Sequence, residues 1–211
     1  MTRIIVIRHG QSEANLNGTL AGQSDIPLTP LGLAQADAAK VYLTARENIT
    51  AVYSSDLDRA YRTALPVAKA LGLTVIRDRR LREVDLGDMV GHEIAKLNDD
   101  FPEFYSITDI EPSFKKYPGG ECNAQVYDRM KECICEIAEA HPNETVLIAS
   151  HGGAIKAFFA YAMGFSRSEA VQAPPVANTA ISVFEWDGEK MTPVEINSTA
   201  HLIDIETHTE E

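Results

Sequence analysis

The feature that most constrains this chain is the alternation of short apolar segments with longer helical ones. Residues 3–7 form a short apolar run typical of a buried strand, and the Ala- and Leu-rich stretch at 31–44 is typical of a helix. The further predicted strands are 51–54, 74–77, 145–149, 179–186 and 191–196, and the further predicted helices are 58–71, 123–140 and 154–163. This alternation predicts a three-layer αβα fold with a mainly parallel sheet that is covered on both faces.

Two parts of the chain depart from the alternation. Asp187-Gly188 lies between the last two predicted strands and indicates a hairpin, so we expect a mixed sheet. Residues 92–122 have weak periodicity and are rich in aromatic residues and proline. We interpret this segment as an insertion over the carboxyl ends of the strands, within a single domain of residues 1–211. The acidic tail from Asp204 is expected to fray.

The charge of the chain narrows its range of partners. It carries 19 Lys and Arg against 31 Asp and Glu, a formal net charge of −12. Because nucleic-acid binding needs a basic face, this composition argues against a nucleic-acid partner. No apolar run approaches the roughly 20 residues of a membrane span, and the first residues do not resemble a secretory signal. We therefore expect a cytoplasmic protein without a membrane partner, a monomer or a homodimer.

Unusual polar residues follow three of the predicted strands. Arg8-His9-Gly10 follows the first, Ser54-Ser55 with Arg59 follows the second, and the segment 150–153 (SHGG) follows the fourth. Ligands of open α/β sheets bind beyond the carboxyl ends of the strands, so two histidines, two arginines and a glycine-rich helix start should converge there. Paired arginines and helix N-termini are the usual components of phosphate sites. The sequence thus predicts that this edge of the sheet binds phosphate.

Five ordered segments resemble the histidine phosphatase superfamily, the phosphoglycerate-mutase-like proteins. They are RHGQSEAN at 8–15, GQSDIPLT at 22–29, SSDL at 54–57 with Arg59, LREVDLG at 81–87 and SHGG at 150–153. Asn178-Thr179, before a predicted strand, resembles a further family position near the site. The resemblance covers most of the chain and implies the same αβα fold.

The resemblance also implies a role for each candidate site residue. His9 would be the nucleophile that forms a phosphohistidine, and Glu83 would protonate the leaving alkoxide and then activate water. The other implied site residues are Arg8, Arg59 and His151 around the phosphoryl group and Asn15, Gln23 and the Gly152 N–H at its edge. Because arginine and histidine supply the positive charge, neither a metal nor a cofactor is implied.

The segment that follows Glu83 bears on the type of reaction. Mutases of the family typically have Arg-x-Tyr-Gly there, whereas VDLGDMVG at 84–91 resembles the Gly-x-Trp-x-Gly of the phosphatase branch, with Met89 in place of the Trp. The resemblance therefore implies a metal-independent phosphomonoester hydrolase that acts on a small phosphorylated metabolite. A cofactor-dependent phosphoglycerate mutase and a non-catalytic phosphate-binding relative are the alternatives. The substrate stays open.

A group of arginines precedes Glu83 and could bear on the substrate. The arginines considered are Arg79, Arg80 and Arg82. The first interpretation is that these arginines form a charged face exposed to solvent. The second is that one or two of them reach the mouth of the pocket and bind a second anionic group of the substrate.

Overall fold

A six-stranded sheet forms the centre of the computed structural model, which describes residues 1–203. The strands are β1 (Thr2–Arg8), β2 (Ile49–Ser54), β3 (Val75–Arg77), β4 (Thr145–Ser150), β5 (Ile181–Trp186) and β6 (Met191–Ser198). Their order is β3-β2-β4-β1-β5-β6. The first four strands run parallel, and β5 and β6 are antiparallel to their neighbours, which confirms the mixed, mainly parallel sheet. The predicted fraying from Asp204 falls outside the described residues.

Helices connect the strands much as the sequence pattern predicts. They are α1 (Glu13–Asn17), α2 (Pro30–Arg46), α3 (Asp58–Leu71), α4 (Leu97–Asp100), α5 (Pro102–Ser106), α6 (Asn123–Ala140) and α7 (Gly152–Ala162). Single 3-10 turns include Arg79–Leu81, Gly87–Met89 and Ile94–Lys96. The bounds of α3 and α6 are those predicted, whereas α1, α4 and α5 were not predicted because segments of four or five residues are too short to show a helical period.

The two faces of the sheet carry separate apolar layers. Successive side chains of β1 alternate between them: Ile4 and Val6 pack with residues of α6 and α7, whereas Ile5 and Ile7 pack with residues of α2 and α3. All four are at most 1% exposed. Strands buried on both faces explain the continuous apolar run of β1, and the two layers confirm the three-layer architecture.

The start of α7 differs from the prediction. The sequence places the helix at 154–163 because Gly152-Gly153 is typical of a turn, but the helix begins at Gly152, directly after the extended His151 (φ −127°, ψ 164°). The carboxylate of Glu83 accepts hydrogen bonds from the N–H groups of Gly153 and Ala154. A long-range carboxylate thus stabilises the first turn, which no local pattern could indicate.

The segment 92–122 lies against the carboxyl ends of the strands, as predicted. Its buried Ser113 accepts a backbone hydrogen bond from Ala124 at the start of α6 and, through its hydroxyl, one from Val171. Ile94 and Tyr117 of this segment line the same cavity as the ends of β1 and β4. That it is an insertion within a single domain stays a prediction. No helix of residues 1–203 is long and apolar enough to cross a membrane.

Candidate active site

A cavity of about 470 Å³ opens where β1 ends and where α3 and α7 begin. This volume lies in the range typical of small-molecule sites. Six of the eight predicted site residues line the cavity: Arg8, His9, Asn15, Arg59, Glu83 and Gly152. The two others, Gln23 and His151, lie outside its lining.

His9 is fixed by backbone contacts from both neighbouring strands. Its N–H donates to the carbonyl of Ser150 (3.0 Å), and its own carbonyl accepts from the N–H of Thr179 (3.3 Å). The Nδ1 atom of the ring lies 2.7 Å from the carbonyl oxygen of Gly10. Because a carbonyl can only accept, Nδ1 carries the proton and Nε2 holds the lone pair. The tautomer is therefore the one in which Nε2 can act as a nucleophile.

Gly10 allows the loop after β1 to pack tightly against the start of α2. A Cβ at this position would lie 2.4 Å from the carbonyl oxygen of Gly32, too close for any side chain. The N–H of Gly10 donates to the hydroxyl of Thr63 on α3. The backbone carbonyl that orients His9 is thus held by both α2 and α3.

Arg8 and Arg59 bring two cations to the cavity, of which Arg59 is buried and Arg8 partly buried. Arg59 is 1% exposed and donates to the carbonyls of Ser24 and Gly22, each at 2.7 Å. Arg8 donates to the carbonyl of Val176. Within residues 1–203 neither arginine has a carboxylate ion-pair partner, and the Nε of each is buried without a hydrogen bond. Desolvation lowers the pKa of both guanidinium groups, which an anion in the cavity would counteract.

His151 is completely buried beside His9. The two ring centroids are 5.2 Å apart. Neither ring nitrogen of His151 has a hydrogen-bond partner in the described part of the chain. Buried polar atoms are nearly always paired in folded proteins, so the one N–H of a neutral His151 ring and the two unpaired guanidinium Nε atoms indicate a group that accepts hydrogen bonds from them. An oxyanion with several oxygens meets that requirement.

The electrostatic environment keeps both histidines neutral. Burial, followed by the charges of Arg59 and Arg8, lowers the pKa of His9 well below 6.5. Burial and Arg59 are also the leading causes that lower the pKa of His151 well below 6.5. At neutral pH the free protein therefore holds His9 in the unprotonated form that nucleophilic attack requires.

These lowered pKa values make stability depend on pH. Below about pH 6.5 the unfolded chain protonates His9 and His151 before the folded chain does. The free energy of unfolding should therefore decrease with falling pH, by up to about 1.4 kcal/mol per pH unit for each histidine. Partly buried His201, whose pKa is lowered to about 4, adds to the same window. The free energy of unfolding, measured with urea at several pH values between about 7.5 and 5, should change less steeply with pH for His9→Asn than for the unaltered protein.

A control for this pH dependence is the half-exposed His92, which pairs with Asp100. His92→Asn makes the same replacement at a side chain that does not line the cavity, so comparison of the two variants isolates the contribution of His9. If the free energy of unfolding depends equally on pH in His9→Asn and in the unaltered protein, the pKa of His9 is not lowered in the folded state.

Glu83 presents its carboxylate to the start of α7. Oε1 accepts from the N–H groups of Val84 (2.9 Å) and Ala154 (3.0 Å), and Oε2 accepts from that of Gly153 (3.2 Å). A Cβ on Gly153 would lie 2.7 Å from Oε1, so this close approach requires glycine. A carboxylate at a helix N-terminus is stabilised by the helix dipole and by unpaired N–H groups. Glu83, the one acidic residue of 1–203 that lines the cavity, is thus rigidly oriented.

Arg129 of α6 holds the segment that carries Glu83, and sequence reasoning missed it. Its Nη1 donates to the carbonyls of Arg80 and Arg82 at 2.7 Å each, and its Nη2 donates to the carbonyl of Glu83 at 2.9 Å. An arginine on an amphipathic helix usually lies in a solvated face, and no local pattern distinguishes this one. Contacts to three carbonyls so close in sequence make it a positioning residue for Glu83.

Glu121 completes this arrangement. It forms a bidentate ion pair with Arg129, both contacts being 2.9 Å, and accepts from the N–H of Asp85. Arg129→Met should lower kcat about 10- to 100-fold with little change in KM, because Glu83 loses its orientation while the phosphate contacts persist. The free energy of unfolding should fall by about 1–3 kcal/mol. Steady-state kinetics and urea unfolding measure both effects.

Arg167 provides the matched control for Arg129. Its ion pair with Asp128 is half-exposed on both sides, so Arg167→Met should cost less than about 1 kcal/mol and leave kcat unchanged. An Arg129→Met variant that loses stability but keeps the kcat of the unaltered protein would refute the positioning role.

Gln23 does not lie where the family resemblance implies. Its Nε2 donates to the carbonyl of Glu83 (3.0 Å), and its Oε1 accepts from Arg82 (3.3 Å). Both ends of the amide are therefore engaged by the Glu83 segment, and the side chain is absent from the cavity lining. The structure assigns Gln23 a contact that supports Glu83 from outside the cavity.

The arginines before Glu83 also stay outside the cavity. Arg82 forms a bidentate ion pair with Asp56 at 2.6 and 2.7 Å, and Arg80 pairs with Asp78. The side chain of Arg79 is 78% exposed. None of the three lines the cavity, which favours the first interpretation, a solvated face, and the binding of a second anionic group by one or two of them stays a prediction. Each of the three arginines lies within 4.0 Å of an aspartate carboxylate instead.

Asn15 and Gly152 both line the cavity. The Oδ1 of Asn15 accepts from the N–H of Ser12 and from the Nδ2 of Asn178, which also donates to the carbonyl of His9. Asn178 thus links Asn15 to His9, consistent with its resemblance to a family position near the site. A Cβ at Gly152 would lie 3.2 Å from the Nε of Arg8, which leaves that guanidinium close to the start of α7.

Residues 4–199 match the family model of the histidine phosphatase superfamily (branch 1). The chain belongs to the histidine phosphatase superfamily. This confirms the resemblance of the sequence segments to that superfamily.

Individual relatives agree with this assignment. The chain is 34% identical over 202 residues to phosphoglycerate mutase-like protein 4 of Arabidopsis thaliana, covering 94% of this chain and 86% of the relative. It is 32% identical over 202 residues to phosphoserine phosphatase 1 of Hydrogenobacter thermophilus, covering 96% and 95%. The mycobacterial glucosyl-3-phosphoglycerate phosphatase structure superposes with a TM-score of 0.84 at 29% identity, covering 93% and 99%. Family membership and these phosphatase relatives confirm the predicted enzyme class, a phosphoric monoester hydrolase.

Proposed function

We propose that this histidine phosphatase hydrolyses phosphomonoesters of small metabolites in two steps, through a phosphohistidine at Nε2 of His9. The observation that carries the proposal is the state of His9: its Nδ1 donates to Gly10, its Nε2 is unprotonated, and its pKa is lowered by burial and by Arg59 and Arg8. A neutral imidazole in a fixed orientation, beside buried cations without anionic partners, is suited to attack a phosphoryl group.

In the first step, the lone pair of Nε2 of His9 attacks phosphorus and the bond from phosphorus to the alcohol oxygen breaks. The leaving oxygen takes a proton from Glu83 in its protonated form. The guanidinium groups of Arg8 and Arg59 neutralise the equatorial oxygens, and His151 donates a further hydrogen bond. The Nδ1–H of His9 stays bonded to Gly10, which stabilises the positive charge that the ring acquires.

In the second step, water attacks phosphorus and the phosphorus–nitrogen bond breaks. The Glu83 carboxylate accepts a proton from that water, and the electron pair returns to Nε2 of His9. Inorganic phosphate leaves and Glu83 is again protonated for the next cycle. The cationic groups of the chain itself balance the charge, so the proposed reaction uses neither a metal ion nor a cofactor.

The substrate class rests on the site and on the relatives. Curated relatives are named as phosphatases of phosphoserine and of glucosyl-3-phosphoglycerate, which are small phosphorylated metabolites. A cavity of about 470 Å³ accommodates a phosphoryl group and a small alcohol. The cluster of few cations inside an acidic protein suits a small dianion and disfavours large polyanions.

A metal-free assay on a panel of phosphomonoesters tests this function. We expect release of inorganic phosphate from an aryl phosphate and from small metabolites, unaffected by a chelator such as EDTA. The mutase alternative predicts interconversion of 3-phosphoglycerate and 2-phosphoglycerate that 2,3-bisphosphoglycerate stimulates. Efficient interconversion without phosphate release would overturn the hydrolase assignment, and binding of phosphate without either reaction would favour a non-catalytic relative.

A further inference from the structure

Lys156 is a cation in the cavity that the proposed chemistry does not use. It lies on α7 four residues after Gly152, so the two residues share one face of the helix. Gly152, Gly153 and Lys156 all line the cavity. Four residues of α-helix rise about 6 Å, so the backbones of Gly152 and Lys156 are about that far apart along α7, and we expect the alcohol part of a substrate, rather than its phosphoryl group, to lie beside the lysine.

The ammonium group of Lys156 has no partner of its own. Within residues 1–203 it forms neither a salt bridge nor a hydrogen bond, in contrast to Lys40 and Lys96, which each pair with a carboxylate of their own helical turn or an adjacent one. The residue is only partly exposed. A half-buried cation without a counter-ion, in an acidic protein, is available to a negative group of a ligand.

The rest of the outer cavity carries no competing charge. Within the described residues, the lining apart from Arg8, His9, Arg59, Glu83 and Lys156 is neutral and mostly apolar, with Leu20, Leu86, Ile94 and Val171 among its members. Among the residues that the structure describes, Glu83 is the only acidic one in the lining, and backbone N–H groups engage both of its oxygens. Lys156 therefore sets the charge preference of this half of the cavity.

We propose that Lys156 is the residue that determines specificity for the leaving alcohol and that it binds a carboxylate on that alcohol. This inference rests on the proposed phosphomonoester hydrolysis. A single ammonium matches the one negative charge of a carboxylate, whereas a second phosphate carries about two negative charges and would need a further cation, such as the fork of an arginine. The arginines that could have supplied such a fork, Arg80 and Arg82, are paired elsewhere.

Two substrates of nearly equal size test this assignment. 3-Phosphoglycerate has a carboxylate where glycerol 3-phosphate has a neutral hydroxymethyl group. We expect kcat/KM of the unaltered protein to be at least about tenfold higher for 3-phosphoglycerate, and Lys156→Met to lower this ratio about tenfold, which corresponds to about 1.4 kcal/mol. Lys156→Arg, which keeps the charge, should keep the ratio within about threefold.

Lys69 supplies the control for net charge. It is exposed in the last turn of α3, so Lys69→Met changes the total charge equally and should leave the ratio as it is. A ratio near one in the unaltered protein, or a ratio that Lys156→Met does not change, would overturn the assignment of Lys156. Failure to hydrolyse either substrate or an aryl phosphate would instead refute the proposed function, and the assignment with it.

Discussion

Replacement of His9 by asparagine should lower kcat at least about 10⁴-fold on every phosphomonoester that the protein hydrolyses. Asparagine keeps a donor for the Gly10 carbonyl and fits the space of the ring, but it has no nitrogen lone pair to attack phosphorus. The guanidinium groups of Arg8 and Arg59 remain in the cavity, so the variant should still bind inorganic phosphate. Steady-state kinetics and phosphate titration measure the two effects separately.

The control for His9→Asn is a histidine away from the cavity. His92 is half-exposed and pairs with Asp100, so His92→Asn should leave kcat within about twofold of the unaltered value. Retention of more than about one hundredth of the activity by a folded His9→Asn protein would contradict the nucleophile assignment.

Glu83→Gln should separate the two steps of the reaction when an aryl phosphate is the substrate. An aryl alcohol needs little protonation to leave, so transfer to His9 should persist, whereas water attack lacks its base and should slow about 10²- to 10⁴-fold. Rapid mixing should therefore show a burst of about one aryl alcohol per active site, followed by slow turnover. On an alkyl phosphate, which needs the acid, both steps should be slow and the burst absent.

Exposed Glu93, paired with Lys96, provides the matched carboxylate control. Glu93→Gln should behave as the unaltered protein on both substrate types. A Glu83→Gln variant with unchanged steady-state turnover, or with turnover that is slow on aryl phosphate without a burst, would contradict the role of Glu83 in the second step.

The phosphate-binding half of the site was predictable from the sequence because its residues follow strands. Arg8-His9 and Ser150-His151 end the adjacent strands β1 and β4, and the parallel pairing of those strands brings the two ends together. Arg59 opens α3, which follows β2, the other neighbour of β4. The rule that ligands bind beyond the carboxyl ends of parallel strands thus predicted, before any family comparison, that these residues lie close together.

The supporting contacts could not be predicted, because they join residues far apart in sequence. Arg129 reaches the carbonyl of Glu83 across 46 positions, and Gln23 does so across 60. Family resemblance placed Gln23 in the phosphate pocket, but the amide binds the Glu83 segment. The partners of a single polar side chain depend on tertiary packing, which hydrophobic periodicity does not encode.

The segment 92–122 shows the same limit at the level of whole elements. Its aromatic residues include Phe104, which stacks on Tyr117 with ring centroids 5.3 Å apart, and Tyr117 in turn lines the cavity. Local composition indicated an insertion over the strand ends. Which of its side chains face the substrate depends on how α4 and α5 fold over the sheet, and helices of four or five residues leave no periodic signal.

Trapping of the phosphorylated protein tests the central claim most directly. Glu83→Gln protein would be mixed with radiolabelled aryl phosphate, quenched in alkali during the burst, and digested for peptide mapping. We expect about one label per chain on the peptide that contains His9, stable in alkali and labile in acid. The double variant that carries both Glu83→Gln and His9→Asn should take up no label. Turnover by the unaltered protein without any label, or a label on a residue other than His9, would contradict the phosphohistidine mechanism.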